Sequence, residues 1–299
     1  MERLDLARAK RPGAGSRRAF YASLLILIVS LLLYCLPSSV DYIALAAEDV
    51  ERSTTPTAGS EPRLPSFGRP SAVEMPILVY HHIRQAVSFR SRAERRLTVT
   101  PEIFDDQMKY LRDNGYRVIT FANLVDHLKN SNELPQKPVI ISFDDGWEDQ
   151  FVYALPRLEE YHYIATFFVI TNFVGSSGFV SWLQLQKILA AGMEIGSHSR
   201  SHPRLDKINN PDALWDQIHT SKQILESRLG ATVDEFAYPF GSYNEAAASI
   251  VRQAGYKGAR ACCIGRIQSD VYALRAVMAP TDLSRFGDYL GAELPPRRN

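Results

Sequence analysis

Between residues 75 and 278, short apolar runs alternate with stretches of helical period, and this alternation constrains the fold more than any single motif does. The strand-like runs are 76–80 (PILVY), 138–143 (PVIISF), 165–170 (ATFFVI), 193–196, 235–238, 256–261 and 273–278, with a shorter one at 117–120. Helices are expected over 101–114, 121–129, 150–161, 182–191, 210–229 and 244–254. The first helix carries its own punctuation: Thr100 as N-cap, Pro101 in the first turn, Phe104, Met108 and Leu111 as apolar stripe, Gly115 as stop. Strands that alternate with helices pair in parallel and carry the helices outside the sheet. About seven such units predict an α/β fold, a deformed (β/α) barrel of about seven parallel strands. Chemistry in such a barrel is expected at the carboxyl ends of the strands.

Ahead of this domain, taken as 74–299, the chain changes character. Residues 1–19 are a basic segment expected in the cytoplasm, with Arg3, Arg8, Lys10, Arg11, Arg17 and Arg18. An uncharged run follows at 20–36 (FYASLLILIVSLLLYCL), near the lower length limit for a membrane span. A basic flank before an apolar run places the N-terminus inside. The run reads as an uncleaved signal-anchor, or as a signal peptide cut near the Ala-Leu-Ala of 44–46. Either reading exports the rest of the chain, anchored or secreted. Residues 37–73 form a linker, rich in Pro, Ser, Thr and Gly from Glu48 onward.

A net charge of +1 excludes a nucleic-acid binder that works by bulk electrostatics. Cys35 lies in the apolar run. The adjacent Cys262 and Cys263 are expected as small buried thiols, because a bond between neighbours is strained. With no disulfide framework, the domain rests on its core.

Two segments carry the chemistry. Asp144-Asp145-Gly146 follows the apolar run 138–143, and His198 and His202 follow the run 193–196. Vicinal carboxylates repel each other unless a cation lies beside them. Successive side chains diverge, so one can bind a metal while the other takes a proton from water. Gly146 lets the backbone turn sharply behind them. His198 and His202 are close enough in sequence to reach one ion. One carboxylate and two imidazoles leave room for water and substrate, the requirement of a metal-assisted hydrolase. Zinc is the expected divalent ion; iron, cobalt and nickel suit the same donors.

The segment 142–149 (SFDDGWED) resembles the first motif of the polysaccharide deacetylase family, the NodB-homology fold of carbohydrate esterase family 4. The segment 197–202 (SHSRSH) resembles its second motif and 236–241 (FAYPFG) its third. The likeness spans about 76–277. It implies removal of N-acetyl groups from a glycan, with Asp144 as catalytic base and Asp145, His198 and His202 as metal ligands. It also implies that the backbone N–H of Phe240 holds the oxyanion, and that Trp147, Tyr238 and Pro239 contact substrate. Trp182, Tyr243 and the Phe240 ring are further candidates to line a sugar cleft. The expected partners are an N-acetylated glycan as substrate and the membrane through the apolar run, with no nucleic acid.

Two departures qualify the resemblance. The arginine that opens the family's third motif and orients the base is replaced by Ala237, and no histidine follows His219 to serve as the late general acid. The chain resembles more closely the exported poly-N-acetylglucosamine deacetylases, which begin with a Tyr-His-x-Ile-like strand end, here Tyr80-His81-His82-Ile83. His81 is then the expected proton donor, and Arg275 the candidate to orient the base. His127, His162 and His219 are expected in surface or structural roles. An O-acetyl esterase acting on a xylan-type chain shares these motifs, and the Ala237 departure keeps a catalytically weakened glycan-binding domain as a further alternative.

Overall fold

The computed structural model describes residues 72–85, 89, 91–261 and 265–291. The basic segment, the apolar run at 20–36, the linker as far as residue 71, and Cys35, Cys262 and Cys263 all lie outside the described residues. No helix among the described residues is long and apolar enough to cross a membrane.

Seven strands follow the expected order: β1 Ile77–Tyr80, β2 Pro138–Phe143, β3 Thr166–Val169, β4 Glu194–Ser197, β5 Glu235–Ala237, β6 Gly258–Arg260 and β7 Val277–Met278. Along the sheet they run β6-β5-β4-β3-β2-β1-β7, all neighbours parallel. The short strand Arg117–Val118 pairs beside β2. The chain leading into β7 spans the two edges of this path. Leu274 bridges to Arg260 in β6, and Val277 and Met278 then pair with Leu78 and Val79 in β1. The sheet thereby curls into the deformed barrel that the alternation predicted.

The helices are α1 Pro101–Asp113, α2 Phe121–Asn130, α3 Leu155–Tyr161, α4 Trp182–Ala190, α5 Pro211–Trp215, α6 Ser221–Leu229 and α7 Glu245–Gln253. Thr100 caps α1, its hydroxyl accepting from the Ile103 N–H, and Phe104, Met108 and Leu111 are fully buried. Each such burial stabilises the fold by roughly 1.5–3 kcal/mol. Two helices read as continuous from the sequence are interrupted. A π-helical turn, Gln150–Ala154, leads into α3, and a second, Asp216–Thr220, joins α5 to α6. Short helices at Arg92–Leu97 and Phe286–Leu290 have no counterpart among the expected elements.

The strand residues alternate between two cores. Leu78, Tyr80, Val139, Ile141, Phe143, Phe167, Val169 and Phe236 meet the outer helices, whereas Ile77, Val79, Ile140, Phe168, Ala237, Leu274 and Ala276 share the second cluster, the lumen. Helix α2 packs with the lumen side through Phe121, Leu124 and Leu128. Its Val125 lies against Gly258, the first residue of β6, so α2 closes the amino end. The opposite end is left for loops. Gly196 in β4 has no room for a side chain, because a Cβ there would stand 2.4 Å from the Phe168 ring.

Candidate active site

The loops after β2, β4 and β5 meet at the carboxyl end of the barrel. Asp145, Ser199, His202 and Phe240 all adopt positive φ there, between 59° and 74°. Each costs a non-glycine residue roughly 1–2 kcal/mol, and such strain concentrates where function requires a fixed geometry.

The loop after β2 is held at several points. The Asp144 N–H donates to Tyr80 O at 2.9 Å, the last rung between β1 and β2. Gly146, at φ 78°, turns the chain behind the two carboxylates. The Trp147 indole N–H donates to Asp145 Oδ2 at 2.9 Å. Its ring lies between Phe179 and His82, at centroid distances of 4.2 and 4.3 Å. Fixing Oδ2 in this way leaves Asp145 Oδ1, a buried atom with no hydrogen-bond partner among the described residues.

His198 donates from Nδ1 to Ala237 O at 2.7 Å, which directs the Nε2 lone pair away from β5. The loop that follows is tied to the π-helical turn Asp216–Thr220. The Arg200 N–H donates to Gln217 O at 3.1 Å, and the Ser201 N–H to Gln217 Oε1 at 3.0 Å. Arg200 Nη1 donates to both oxygens of Asp216 at 2.6 Å. The π-helical turn thus presents both a backbone and a side-chain acceptor to the loop that carries the two histidines. Burial and the neighbouring His198 lower the His202 pKa from 6.5 to about 4, favouring the neutral imidazole that ligation requires.

Asp145 Oδ1 lies 3.6 Å from His198 Nε2 and 3.5 Å from His202 Nε2. One ligand atom from each of the three residues falls within 4.8 Å of the others. Two unencumbered imidazole nitrogens and an orphaned carboxylate oxygen facing one point fit a divalent cation with open coordination positions. The indole on Asp145 and the carbonyl on His198 are the outer partners that such a site needs to fix its ligands.

Beside this cluster Asp144 is buried, and Arg260 Nη2 donates to its Oδ1. Burial alone would raise its pKa, but the Arg260 guanidinium and the nearby histidines outweigh it and hold the carboxyl near 2. Arg260 lies in register with Ala237 on the neighbouring strand, so the cation enters the lumen at the level of the alanine. Arg275, the sequence candidate for this task, is exposed and lies against Gly265, with its backbone held by Gln268. That assignment is corrected: the arginine bonded to Asp144 is Arg260. Its sequence signal was a lone charge inside an apolar strand.

His81 Nε2 stands 3.9 Å from Asp144 Oδ2. Burial lowers its pKa, with the charges of Asp144 and Asp145 opposing. The remaining assignments divide. Phe240 is 59% exposed, with its ring 4.5 Å from that of His202 and the Arg204 guanidinium 5.9 Å above it. Tyr238 and Pro239 are buried, and Tyr238 packs with the outer core and donates to Tyr272 O. Neither side chain is therefore available as a substrate contact, which corrects that expectation. Tyr238 follows Ala237, which faces the lumen, so strand alternation turns the tyrosine outward. Trp182 packs against the outer core beneath Arg228 rather than in a cleft. His127 bonds to Asn132 O, His162 caps α3, and His219 stacks on Trp215.

Residues 131–259 match the family model described as Polysaccharide deacetylase. Over 221 residues the chain is 29% identical to a Bacillus subtilis protein named for polysaccharide deacetylases, a match covering 73% of this chain and 76% of that one. It is 26% identical over 261 residues to the poly-beta-1,6-N-acetyl-D-glucosamine N-deacetylase of Staphylococcus aureus, covering 79% of this chain and 84% of that protein. Among solved structures, the Streptococcus pyogenes deacetylase PplD in complex with acetate aligns with a TM-score of 0.68 at 28% identity, covering 76% of this chain and 100% of that one.

Proposed function

Because the chain belongs to the polysaccharide deacetylase family, we propose that it is a metal-dependent hydrolase that removes N-acetyl groups from an N-acetylglucosamine polymer and releases acetate. The observation that carries this reading is the convergence of Asp145, His198 and His202 on one point, with Asp144 beside them and ionised by Arg260.

Asp145, His198 and His202 hold the cation in this reading. Two imidazoles and one carboxylate favour zinc, and iron, cobalt and nickel are accepted by the same donors. A bound divalent ion supplies an acidified water and positive charge beside the acetamide carbonyl. Asp144 takes the proton from the attacking water. The Phe240 N–H donates to the oxygen that becomes negative as the carbonyl carbon turns tetrahedral. His81 protonates the departing nitrogen. Burial favours its neutral form, so the proton it delivers is one it first takes up in the site, where Asp144, 3.9 Å away, holds the proton removed from water and a water bridging the two would relay it. The C–N bond breaks, leaving a free amine on the sugar and acetate in the pocket. The exposed Phe240 ring, with the Arg204 guanidinium above it, offers a stacking face for a neighbouring sugar.

The basic flank and the apolar run at 20–36 support an exported domain, tethered to the membrane or released from it. The test is acetate release from N-acetylglucosamine oligomers before chelation, after it, and after adding zinc back. Loss on chelation and recovery on add-back are expected. Chelation-insensitive release, or none from a metal-loaded protein, overturns the reading.

A further inference from the structure

Three of the site's side chains, His198, Asp144 and His81, are not held alike. His198 is fixed through its own Nδ1 on Ala237 O, and Asp144 through Arg260. His81 has no such tether: its Nδ1 is buried without a hydrogen-bond partner among the described residues. The position of its ring therefore depends on its backbone.

That backbone is clamped from one place. Pairing of β1 with β2 runs to Tyr80 and Phe143, and its last rung is the Asp144 N–H on Tyr80 O. Beyond this rung the fully buried Gln150 takes over. Its Nε2 donates to His81 O at 2.7 Å and to Asp144 O at 2.6 Å, using both amide hydrogens in one fork. The side chain acts as one more rung between the strands, joining the carbonyls of the proton donor and the base. Asp149 extends the clamp. Its Oδ1 accepts from the Ile83 N–H at 3.1 Å, and its Oδ2 from His82 Nδ1 at 2.7 Å. Both residues lie where the π-helical turn Gln150–Ala154 begins, with the Gln150 N–H donating to Trp147 O at 3.1 Å.

We propose that Gln150 is a positioning residue which, with Asp149 on the other side of the segment 81–83, sets His81 at its working distance from Asp144. The proposal rests on the reading of His81 as proton donor and deepens it. It assigns Gln150 no contact with substrate or metal. Its effect passes through His81, because Asp144 keeps Arg260 whatever happens to the fork.

The test compares kcat, KM and metal content for wild type, Gln150→Leu and Gln150→Glu, each also in a His81→Ala background. The substrate is an N-acetylglucosamine oligomer and every protein is zinc-loaded. Gln150→Leu removes both donors, and Gln150→Glu keeps the size while setting a carboxyl against two carbonyl oxygens. A misplaced reacting group costs up to about 100-fold, so kcat is expected to fall by roughly 10- to 100-fold, with KM and zinc content within about twofold. In the His81→Ala background the same changes are expected to cost less than about threefold, since residues that act through one another are not additive. An equal loss in both backgrounds, an unchanged kcat, or a joint loss of zinc and kcat overturns the proposal. If Gln150→Leu does not fold, Gln150→Glu decides. An inactive wild type sinks the functional reading and the proposal together, whereas an active wild type with additive variants sinks the proposal alone.

Discussion

Arg260 reaches Asp144 from a strand 116 residues further along the chain, and it does so beside an alanine. The pair is buried on both sides, at 1% and 7% side-chain exposure. Replacing one member leaves an uncompensated charge worth about 3–5 kcal/mol, or drives the carboxyl to take up a proton. Arg260→Met is therefore expected to raise the Asp144 pKa and lower kcat by about 100-fold, the lower range of what a general base supplies. Zinc content should stay at the wild-type level. Arg260→Lys keeps the charge and should recover part of the rate. Unchanged turnover in a folded Arg260→Met protein would show that the base needs no cation.

Trp147 was expected to face substrate, yet its indole N–H is spent on Asp145. Trp147→Phe preserves the stack between Phe179 and His82 and deletes only that donor. Loss of an outer partner of a metal ligand weakens binding about 10- to 100-fold. Competition with a chelator of known affinity measures the change. Wild-type zinc affinity in Trp147→Phe would assign the indole to substrate after all.

Glu235 is buried with neither carboxyl oxygen bonded among the described residues. Burial, then the negative charges of Glu194 and Asp234, push its pKa from 4.5 up to about 8. The folded state holds this proton longer than the unfolded chain does. The contribution is thus fully present below pH 4.5 and is lost as pH rises through 8. Across that window stability should fall by up to about 1.4 kcal/mol per pH unit from this group alone. Glu235→Gln should flatten the decline, read as urea midpoints between pH 5 and pH 8.5. Parallel curves for variant and wild type would contradict it.

Gly196→Ala places a methyl group 2.4 Å from the Phe168 ring, whose other neighbours include the Arg260 guanidinium at 5.2 Å. Overpacking of this kind costs about 1–3 kcal/mol. The thermal midpoint should drop by several degrees, and scanning calorimetry records it. A neutral substitution would mean that the lumen yields more readily than a packed core does.

The parallel barrel was legible because burial on both sheet faces leaves a regular trace in sequence, and Asp144, Asp145, His198 and His202 because polar groups stand out just after apolar runs. What escaped reading is the strand parity of two arginines. Arg260 lies between Ala259 and Ala261, and Arg275 between Leu274 and Ala276. Locally the two patterns are the same. Ala259 and Ala261 face the outer helices, which turns Arg260 inward, whereas Leu274 and Ala276 face the lumen, which turns Arg275 outward. Which face is the lumen follows from long-range pairing, and so does the register that sets Arg260 beside Ala237. Tyr238 was misread for the same reason. Gln150 escaped because a buried amide at the start of a helix looks like any polar helix residue until the carbonyls it joins come from two strands.

The bridging of β6 to β1 by the approach to β7 also makes closure of the ring depend on the last strand of the chain. A chain emerging amino end first from a ribosome presents Asp144, Asp145, His198 and His202 well before the stretch at 274–278 that draws the ring together. Until that stretch arrives, the strand bearing Arg260 has one paired edge, and Asp144 has no dependable counter-charge. The ion pair on Asp144 is thus among the last contacts that the order of the chain allows to form.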